Sequence, residues 1–282
     1  MTITLENIEI LTTKGFELGG LIFKPIVENN NKNLILIGSA TGIKYTYYKK
    51  LANYFVEKGF QVLLFDYSGI GQSLYKPIRK IKTNMEDWGK IDLQAVINWI
   101  KNNFTYEEFY YIGHSVGGQL VGLLDDPNIF DKLIFVTSQN GYWRYYTKKK
   151  YLYAIAYRTV WPFLTWLFGY LPSKRMIGEN LPKGVALQWV SWLKSKNYLF
   201  DHINSKGYEL LTKPLLAFSF TDDHYAPPPA VENLMTHYTN TQLTLKSYKP
   251  EDLGRKKIGH FGFFREENKD TLWKEVLDFF SN

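Results

Sequence analysis

Hydrophobic residues follow two different patterns along the chain. The first 25 residues alternate apolar and polar positions in two runs, TITLENIEILTT and FELGGLIFKP, which predicts two strands joined by a turn at Lys14 and Gly15. Later runs are apolar almost without a break, as is typical of strands buried on both faces. These runs are NLILIGS, QVLLFDY, EFYYIGH, KLIFVTS and PLLAFSF, and TQLTLKSY completes a set of about eight strands.

Helical patterns separate the buried strands. Apolar positions recur at helical spacing over residues 47–59, 84–102, 230–238 and 271–280, and VGGQLVGLL opens a further helix. Gly59 suits the end of the first of these helices. The alternation of strand and helix predicts an α/β fold with a mostly parallel, doubly wound sheet covered by helices on both faces.

The alternation of strands and helices stops over residues 141–206, here called the insertion. This segment is aromatic and basic, contains prolines at positions 162, 172 and 182, and shows helical patterns but no clear strand. It follows the sixth strand, and the alternation of strands and helices resumes with the strand PLLAFSF. We therefore predict a core made of residues 1–140 and 207–282, with a helical cap inserted at residues 141–206.

Most of the positive charge lies in the insertion. The chain carries a net charge of +7, yet the insertion alone holds eleven Lys and Arg residues against two acidic residues. Such a segment can bind nucleic acid, contact an anionic membrane surface, or form a helical lid with solvated lysines. Because no nucleic-acid-reading motif accompanies it, nucleic acid is not expected as a partner, whereas a weak membrane-surface contact stays open.

Composition removes several other classes of function. The absence of cysteine excludes a thiol nucleophile and disulfides. No apolar run of about 18 residues is present, and the start lacks a signal-peptide pattern, so we expect a cytoplasmic protein. The five histidines are scattered and no dinucleotide-binding glycine pattern follows an early strand, so neither a metal nor a cofactor is expected. The oligomeric state stays open.

A serine between two glycines follows the strand EFYYIGH. In GHSVG, Ser115 lies after a buried strand and before a helix, which is where a nucleophile elbow belongs. A match to three positions in 282 residues is weak by itself. Its placement at the carboxyl end of a parallel strand, with a helix N-terminus behind it, makes Ser115 a candidate nucleophile.

A serine nucleophile needs a histidine as general base, and His260 is the best candidate. His260 lies in IGHFGFF, a glycine-flanked loop between the last strand and the last helix. The chain order expected of a catalytic serine, acid and histidine in this fold is serine first and histidine last, and His260 satisfies it. His114 is adjacent to Ser115 and points away from it on a tight turn. His224 is a weaker alternative.

Two acids could orient the histidine, and two N–H groups could bind an oxyanion. Asp222 and Asp223 directly follow PLLAFSF, so one can serve the histidine while the other caps the loop. The oxyanion donors are expected from Val116, after the nucleophile, and from the loop GSATG after the third strand. In that loop Ala40 is the first choice and Thr41 the second.

Taken together, these stretches resemble the α/β-hydrolase fold superfamily, and in particular a bacterial group of predicted α/β hydrolases with undefined substrate. GSATG, FDYSGIGQS, GHSVGGQ, DDHYAPP and GHFGFF occur in the family's order and cover nearly the whole chain. NGYWRYY and LPKGVALQWVSWL also look like the group's own insertion. The set is far more specific than the serine motif alone.

The resemblance implies a serine hydrolase with a cap domain. The family places its acid four residues before a proline, and the spacing of Asp223 and Pro227 selects Asp223 over Asp222. Asp66 matches a structural position of the family near the serine turn. Ser68 stands where relatives usually carry arginine, which puts a local salt bridge in doubt.

The leading hypothesis is hydrolysis of a small-molecule carboxylic ester by a serine esterase or lipase-like enzyme. Ser115 forms an acyl-enzyme with His260 as base and Asp223 as orienting acid. An acyltransferase with the same triad and a non-water acceptor is an alternative. A catalytically silent, ligand-binding member of the fold is another.

Overall fold

The computed structural model describes residues 3–26, 32–174, 178–203 and 206–282. Within these residues, eight strands form one sheet in the order β1-β2-β4-β3-β5-β6-β9-β10, and β7 pairs with β8 separately. The strands are β1 (Ile3–Leu11), β2 (Glu17–Pro25), β3 (Leu34–Gly38), β4 (Gln61–Phe65), β5 (Phe109–His114), β6 (Lys132–Val136), β7 (Tyr170–Leu171), β8 (Leu181–Pro182), β9 (Leu215–Phe220) and β10 (Leu243–Tyr248).

The direction of the strands confirms the predicted fold class. From β4 to β10 every neighbouring pair in the large sheet is parallel, whereas β1 pairs antiparallel with β2 and β2 with β4. The turn between β1 and β2 contains Gly15 at φ +74°, a conformation that glycine adopts without strain. The result is a mostly parallel sheet with an antiparallel edge, as the hydrophobic patterns predict.

Helices cover both faces of this sheet. Three of the described helices run on from π-helical turns, at Trp88–Leu93, Ala156–Val160 and Lys269–Trp273. The helices are α1 (Lys49–Glu57), α2 (Met85–Asp87), α3 (Gln94–Asn103), α4 (Val116–Gln119), α5 (Lys150–Ile155), α6 (Trp161–Phe168), α7 (Lys183–Lys194), α8 (Gly207–Leu210), α9 (Pro228–Met235), α10 (Gly259–Gly262) and α11 (Lys274–Ser281).

The core consists of two apolar layers, one on each face of the sheet. Helices α1 and α11 pack on one face, where Phe55 and Phe280 are fully buried or nearly so. Helix α3, the turns after β5 and the insertion pack on the other face, around Trp88 and Trp192. Because both faces are covered, the central strands carry apolar residues at nearly every position, which is why their sequences do not alternate.

The sheet order brings the loops after β3 and β5 together. These two strands are neighbours, and their last ladder pair is Gly38 with Gly113. The GSATG loop and the turn at Ser115 therefore leave the same edge of the sheet side by side. This edge is the carboxyl end of the parallel strands, where ligand sites form in open α/β sheets.

The insertion follows β6 and contains a feature that the sequence patterns did not indicate. Strands β7 and β8 form a two-residue antiparallel ladder, in which Leu171 opposes Leu181. Both leucines are fully buried. A strand this short is stabilised by the packing of its side chains and leaves no detectable alternation in the sequence.

No helix in the described part of the chain combines the length and the apolar character that a membrane crossing requires. The cytoplasmic location predicted from the sequence stays a prediction.

Candidate active site

Ser115 lies on a sharp turn between β5 and α4. Its backbone has φ 52° and ψ −115°, outside the regions that residues other than glycine ordinarily adopt. The Ser115 N–H donates to the Val136 carbonyl at 2.9 Å, which ties the turn to the neighbouring strand β6. Strain of this kind persists only where the surrounding structure holds it, and it is found at functional sites.

The glycines around Ser115 are required by close packing. A Cβ atom on Gly113 would lie 2.5 Å from the Gly118 nitrogen, and one on Gly117 would lie 2.3 Å from the Gly38 carbonyl oxygen. Both distances are shorter than any tolerable contact. The glycines thus allow β5, α4 and the loop after β3 to approach one another closely around the serine.

Asp223 and His260 form a buried pair. The Nδ1 atom of His260 lies 2.7 Å from Oδ2 of Asp223, whose other oxygen accepts from the Tyr225 and Ala226 N–H groups at 2.8 and 3.0 Å. Burial alone would raise the pKa of Asp223, but His260 and these N–H groups outweigh it and lower the pKa. An ionised Asp223 accepts only, so Nδ1 of His260 carries the proton and Nε2 is the basic nitrogen of the neutral ring.

Asp222 has a different task from its neighbour. Its two carboxylate oxygens accept from the N–H groups of Ile258 and Gly259 at 2.9 and 3.0 Å. These residues lie immediately before His260, in a segment where Gly259 adopts φ +57°. The two adjacent acids therefore divide the work, since Asp222 holds the backbone that carries His260 and Asp223 holds its ring.

His114 braces the site without reaching the serine. Its Nε2 lies 2.9 Å from the His260 carbonyl oxygen, which can only accept, so Nδ1 of His114 accepts from the Tyr48 hydroxyl at 2.8 Å. Burial and the nearby His260 lower the pKa of His114 well below its ordinary value, so the ring is neutral. As expected from the sequence, His114 points away from Ser115.

The same contacts involve one of the two oxyanion-donor candidates of the GSATG loop. The N–H group of Ala40, the first choice from the sequence, donates to the hydroxyl of Tyr48 at 2.9 Å. Thr41, the second choice, lines a cavity next to Ser115, and its N–H has no acceptor among the described residues. Val116 begins α4, so its N–H has no partner within the helix.

Gln139 is a neighbour of the serine that the sequence patterns did not single out. Within the described residues, the hydrogen bond of the Ser115 hydroxyl runs to Oε1 of Gln139, at 3.5 Å. Gln119 also donates to this oxygen at 3.3 Å and to the Gln139 backbone carbonyl at 2.9 Å, while Tyr198 donates to Gln119 at 3.2 Å. One signal in the sequence could have indicated this residue. Gln139 lies three residues after β6, at the carboxyl edge of the sheet, where ligand sites form.

A cavity of about 270 Å³ lies over Ser115. Ser115, Gln139 and His260 supply polar side chains to its wall, and residues of the insertion form most of the remaining wall. The aromatic wall residues of the insertion are Tyr146, Tyr153, Tyr157, Trp161 and Trp189. The cavity thus combines a mostly apolar wall with a few polar side chains, as ligand pockets do.

The FDYSGIGQS segment has a structural role beside the site. Asp66 is buried and accepts from the N–H groups of Tyr45 and Gln72 at 2.7 and 2.8 Å, and burial raises its pKa to about 6. The Ser68 N–H donates to the fully buried Asp92 at 2.7 Å. No cation pairs with Asp92 among the described residues, and burial raises its pKa to about 7. Within the described residues, Asp92 is thus held by hydrogen bonding and not by a salt bridge.

The remaining histidines lie outside the cavity wall. His224 contacts the Thr147 hydroxyl, His202 contacts Ser195, and His237 stacks on Phe200. Among the described residues there is no group of three or more histidine and acidic side chains that could hold a metal ion.

Comparison with known proteins gives a family and several structures of the same fold. Residues 32–170 match the family model described as the alpha/beta hydrolase fold. A search of curated proteins finds no match. An esterase from Pyrococcus furiosus superposes with a TM-score of 0.63 at 16% identity, covering 99% of this chain and 91% of that one.

Two further structures are similar at the same level. An esterase from Exiguobacterium antarcticum has a TM-score of 0.64 at 14% identity, over 98% of this chain and all of that one (100%). A protein from Butyrivibrio proteoclasticus with ferulic acid bound has a TM-score of 0.62 at 16% identity, over 97% and 98% of the two chains. At such identities the structures establish the fold alone, and with the match over residues 32–170 they show that this chain has the alpha/beta hydrolase fold.

Proposed function

We propose that this protein is a serine hydrolase that cleaves small-molecule carboxylic esters. One observation carries the proposal: Ser115, on its strained turn, and His260, whose Nδ1 is held by Asp223, line the same cavity. Serine, histidine and carboxylate in this chain order, on this fold, form the constellation used for acyl transfer.

The proposed reaction begins with attack on the ester carbonyl. Ser115 Oγ adds to the carbonyl carbon as Nε2 of His260 removes its proton, and Asp223 stabilises the imidazolium that results. Before this step the hydroxyl rotates about χ1, away from Gln139 and toward Nε2 of His260. Hydrogen bonds between a nucleophile and its base are often long without substrate and shorten when substrate binds. The protonated His260 then gives its proton to the leaving alcohol, and an acyl-enzyme on Ser115 remains.

The second half of the reaction releases the acid. His260 activates a water molecule, which attacks the acyl carbonyl and restores free Ser115. In both halves the N–H groups of Val116 and Thr41 bind the oxyanion. We choose Thr41 over Ala40 because the Ala40 N–H is held by Tyr48.

The insertion serves as the cap in this proposal. It supplies half of the residues that line the cavity, all of them apolar or aromatic, which suits an acyl chain or an aromatic acyl group rather than a charged substrate. The similar structures that are named esterases support ester hydrolysis as the general reaction. The ferulic acid bound to the Butyrivibrio protein is an aromatic acid, and it fits the same class of substrate.

Turnover of p-nitrophenyl esters with increasing acyl length tests the proposal. We expect release of p-nitrophenol by the native chain, an optimum at one acyl length, and loss of turnover in Ser115→Ala. Adding an alcohol acceptor and analysing the products separates the two acyl-transfer chemistries. Free acid as the main product supports a hydrolase, whereas a new ester as the main product would favour the acyltransferase. No turnover with any ester would favour the silent ligand-binding protein.

A further inference from the structure

One helical stretch of the insertion is apolar on its solvent side as well as on its buried side. It runs from α5 through a π-helical turn at Ala156–Val160 into α6. Ala154, Tyr157, Trp161 and Thr165 form its buried stripe. A helix at the surface of a soluble domain ordinarily presents polar residues on the opposite stripe, but this one does not.

The exposed stripe carries large apolar side chains. Within the described residues, seven of them between Tyr151 and Leu167 are between 46% and 71% exposed. They are Tyr151, Leu152, Ile155, Val160, Phe163, Trp166 and Leu167. We call this set the apolar face. Exposure of so many large apolar residues on neighbouring turns marks a surface that binds something.

Basic side chains accompany the apolar face, and acidic ones are missing. From position 141 to position 178 the sequence contains seven Lys and Arg residues and no Asp or Glu. Lys148 and Lys149 are exposed just before the helix, and Arg158 is exposed on it. None of these three is part of a salt bridge among the described residues. Their charge is therefore available to a partner.

We propose that the apolar face docks onto an anionic phospholipid bilayer. Apolar and aromatic side chains would enter the boundary between headgroups and acyl chains, while Lys148, Lys149 and Arg158 would contact lipid phosphates. Charge selects this occupant, because a second copy of the chain would bring the same uncompensated positive charges together. The helix would lie in the membrane plane, which agrees with the lack of a membrane-spanning helix in the described residues.

The position of the face beside the candidate active site gives the docking a use. Leu152 belongs to the apolar face and also lines the cavity over Ser115. Docking would thus place the cavity next to the bilayer surface. The binding itself needs no catalysis, so it stands or falls separately from the proposed ester hydrolysis.

Co-sedimentation with vesicles tests the docking. We expect the full chain to sediment with vesicles of equal parts phosphatidylglycerol and phosphatidylcholine at low salt, and less with phosphatidylcholine alone. Binding should weaken in about 0.5 M NaCl, because salt screens the phosphate contacts. The pair Phe163→Ser and Trp166→Ser, and separately the pair Lys148→Glu and Lys149→Glu, should each lower the partition coefficient at least about tenfold.

Matched controls distinguish binding through the apolar face from nonspecific adsorption of any exposed apolar side chain. Leu5→Ser with Leu11→Ser removes two comparably exposed apolar side chains on β1, and it should leave binding unchanged. Ser115→Ala should bind as the native chain does. Brominated lipid should quench the tryptophan fluorescence of Trp166→Phe less than that of the native chain, because Trp166 is the most exposed side chain of the apolar face.

Three results would overturn the proposal. The native chain could stay in the supernatant with phosphatidylglycerol vesicles at low salt. The face variants could bind as the native chain does. Light scattering could show a dimer that the Phe163→Ser and Trp166→Ser pair dissociates, which would mean that a second copy covers the face.

Discussion

The loops at the carboxyl edge of the sheet and the insertion differ in how their residues are held. Ser115, Asp223 and His260 come from the core and are positioned by backbone hydrogen bonds and close glycine packing. The insertion supplies the aromatic wall of the cavity through side-chain packing, and part of its surface is apolar and uncovered. In the proposed function, the core determines the reaction and the insertion determines which substrates reach it.

This division of labour follows from the tolerances of the two tasks. Acyl transfer requires reacting groups placed to within a fraction of an ångström, which a strained turn braced by two strands provides. An apolar wall tolerates variation, because aromatic side chains can be exchanged without disturbing the backbone. Substitutions in the two regions should therefore change different kinetic constants.

The largest effect should distinguish two adjacent residues of the core. Asp223→Asn removes the carboxylate that orients His260, so kcat on a p-nitrophenyl ester should fall about 10⁴-fold. Asp222→Asn, the matched control, loses only backbone contacts at Ile258 and Gly259 and should cost less than about tenfold. Equal losses in the two variants would contradict the assignment of Asp223.

The next effect concerns the stability of the core as pH changes. The folded-state pKa of Asp92 is raised to about 7 from 3.8. Its stabilising contribution is complete below about pH 4, falls as the unfolded state ionises, and is lost by about pH 7. Asp92→Asn should therefore raise the free energy of unfolding by roughly 2 kcal/mol at pH 8 and change it little at pH 4.

Urea denaturation of both chains at the two pH values measures this difference. Asp125→Asn, at an exposed carboxylate, is the control and should shift neither value. An Asp92→Asn chain with the native pH dependence would show that the pKa of Asp92 is not raised by folding. Such a result would mean that the hydrogen bond from Ser68 offsets the cost of burying the ionised carboxylate.

A smaller effect is expected in the insertion. Trp161→Ala should enlarge the cavity and shift the preference toward longer acyl chains by about tenfold in kcat/KM, with kcat on a short ester nearly unchanged. Trp166→Ala is the matched control, because Trp166 belongs to the same helix but is 71% exposed. A similar shift in both variants would show that the wall does not select the acyl chain.

The smallest effect should come from Gln139. Its Oε1 is held by Gln119 and Ser115, so its Nε2 is left to donate to a substrate oxygen in the cavity. Gln139→Ala should lower kcat/KM about fivefold, as loss of one neutral hydrogen bond does, whereas Gln94→Ala on α3 should not. An increase would instead mean that Gln139 competes with His260 for the serine hydroxyl.

Much of this arrangement could be predicted from the sequence, and the exceptions share a cause. Uninterrupted apolar runs predicted the parallel strands, and the position of Ser115 after one of them indicated a nucleophile turn. The use of the Ala40 N–H by Tyr48, and the contact of Gln139 with Ser115, depend on side chains that fold back from other elements. Such contacts leave no periodic trace in a single sequence.

The insertion was predictable in composition but not in exposure. Its aromatic and basic character was plain, and a buried lid and a membrane contact were both open. Hydrophobic patterns cannot separate these, because α6 is apolar at nearly every position, so no polar stripe marks its solvent side. Only the structure shows that one stripe packs on the cavity while the other faces solvent.

Reaction of the purified chain with a fluorophosphonate probe, followed by mass mapping, tests the central claim most directly. The account predicts one modified residue, Ser115, with labelling abolished in Ser115→Ala and greatly slowed in His260→Ala. Labelling at another serine, or undiminished labelling of Ser115→Ala, would contradict it.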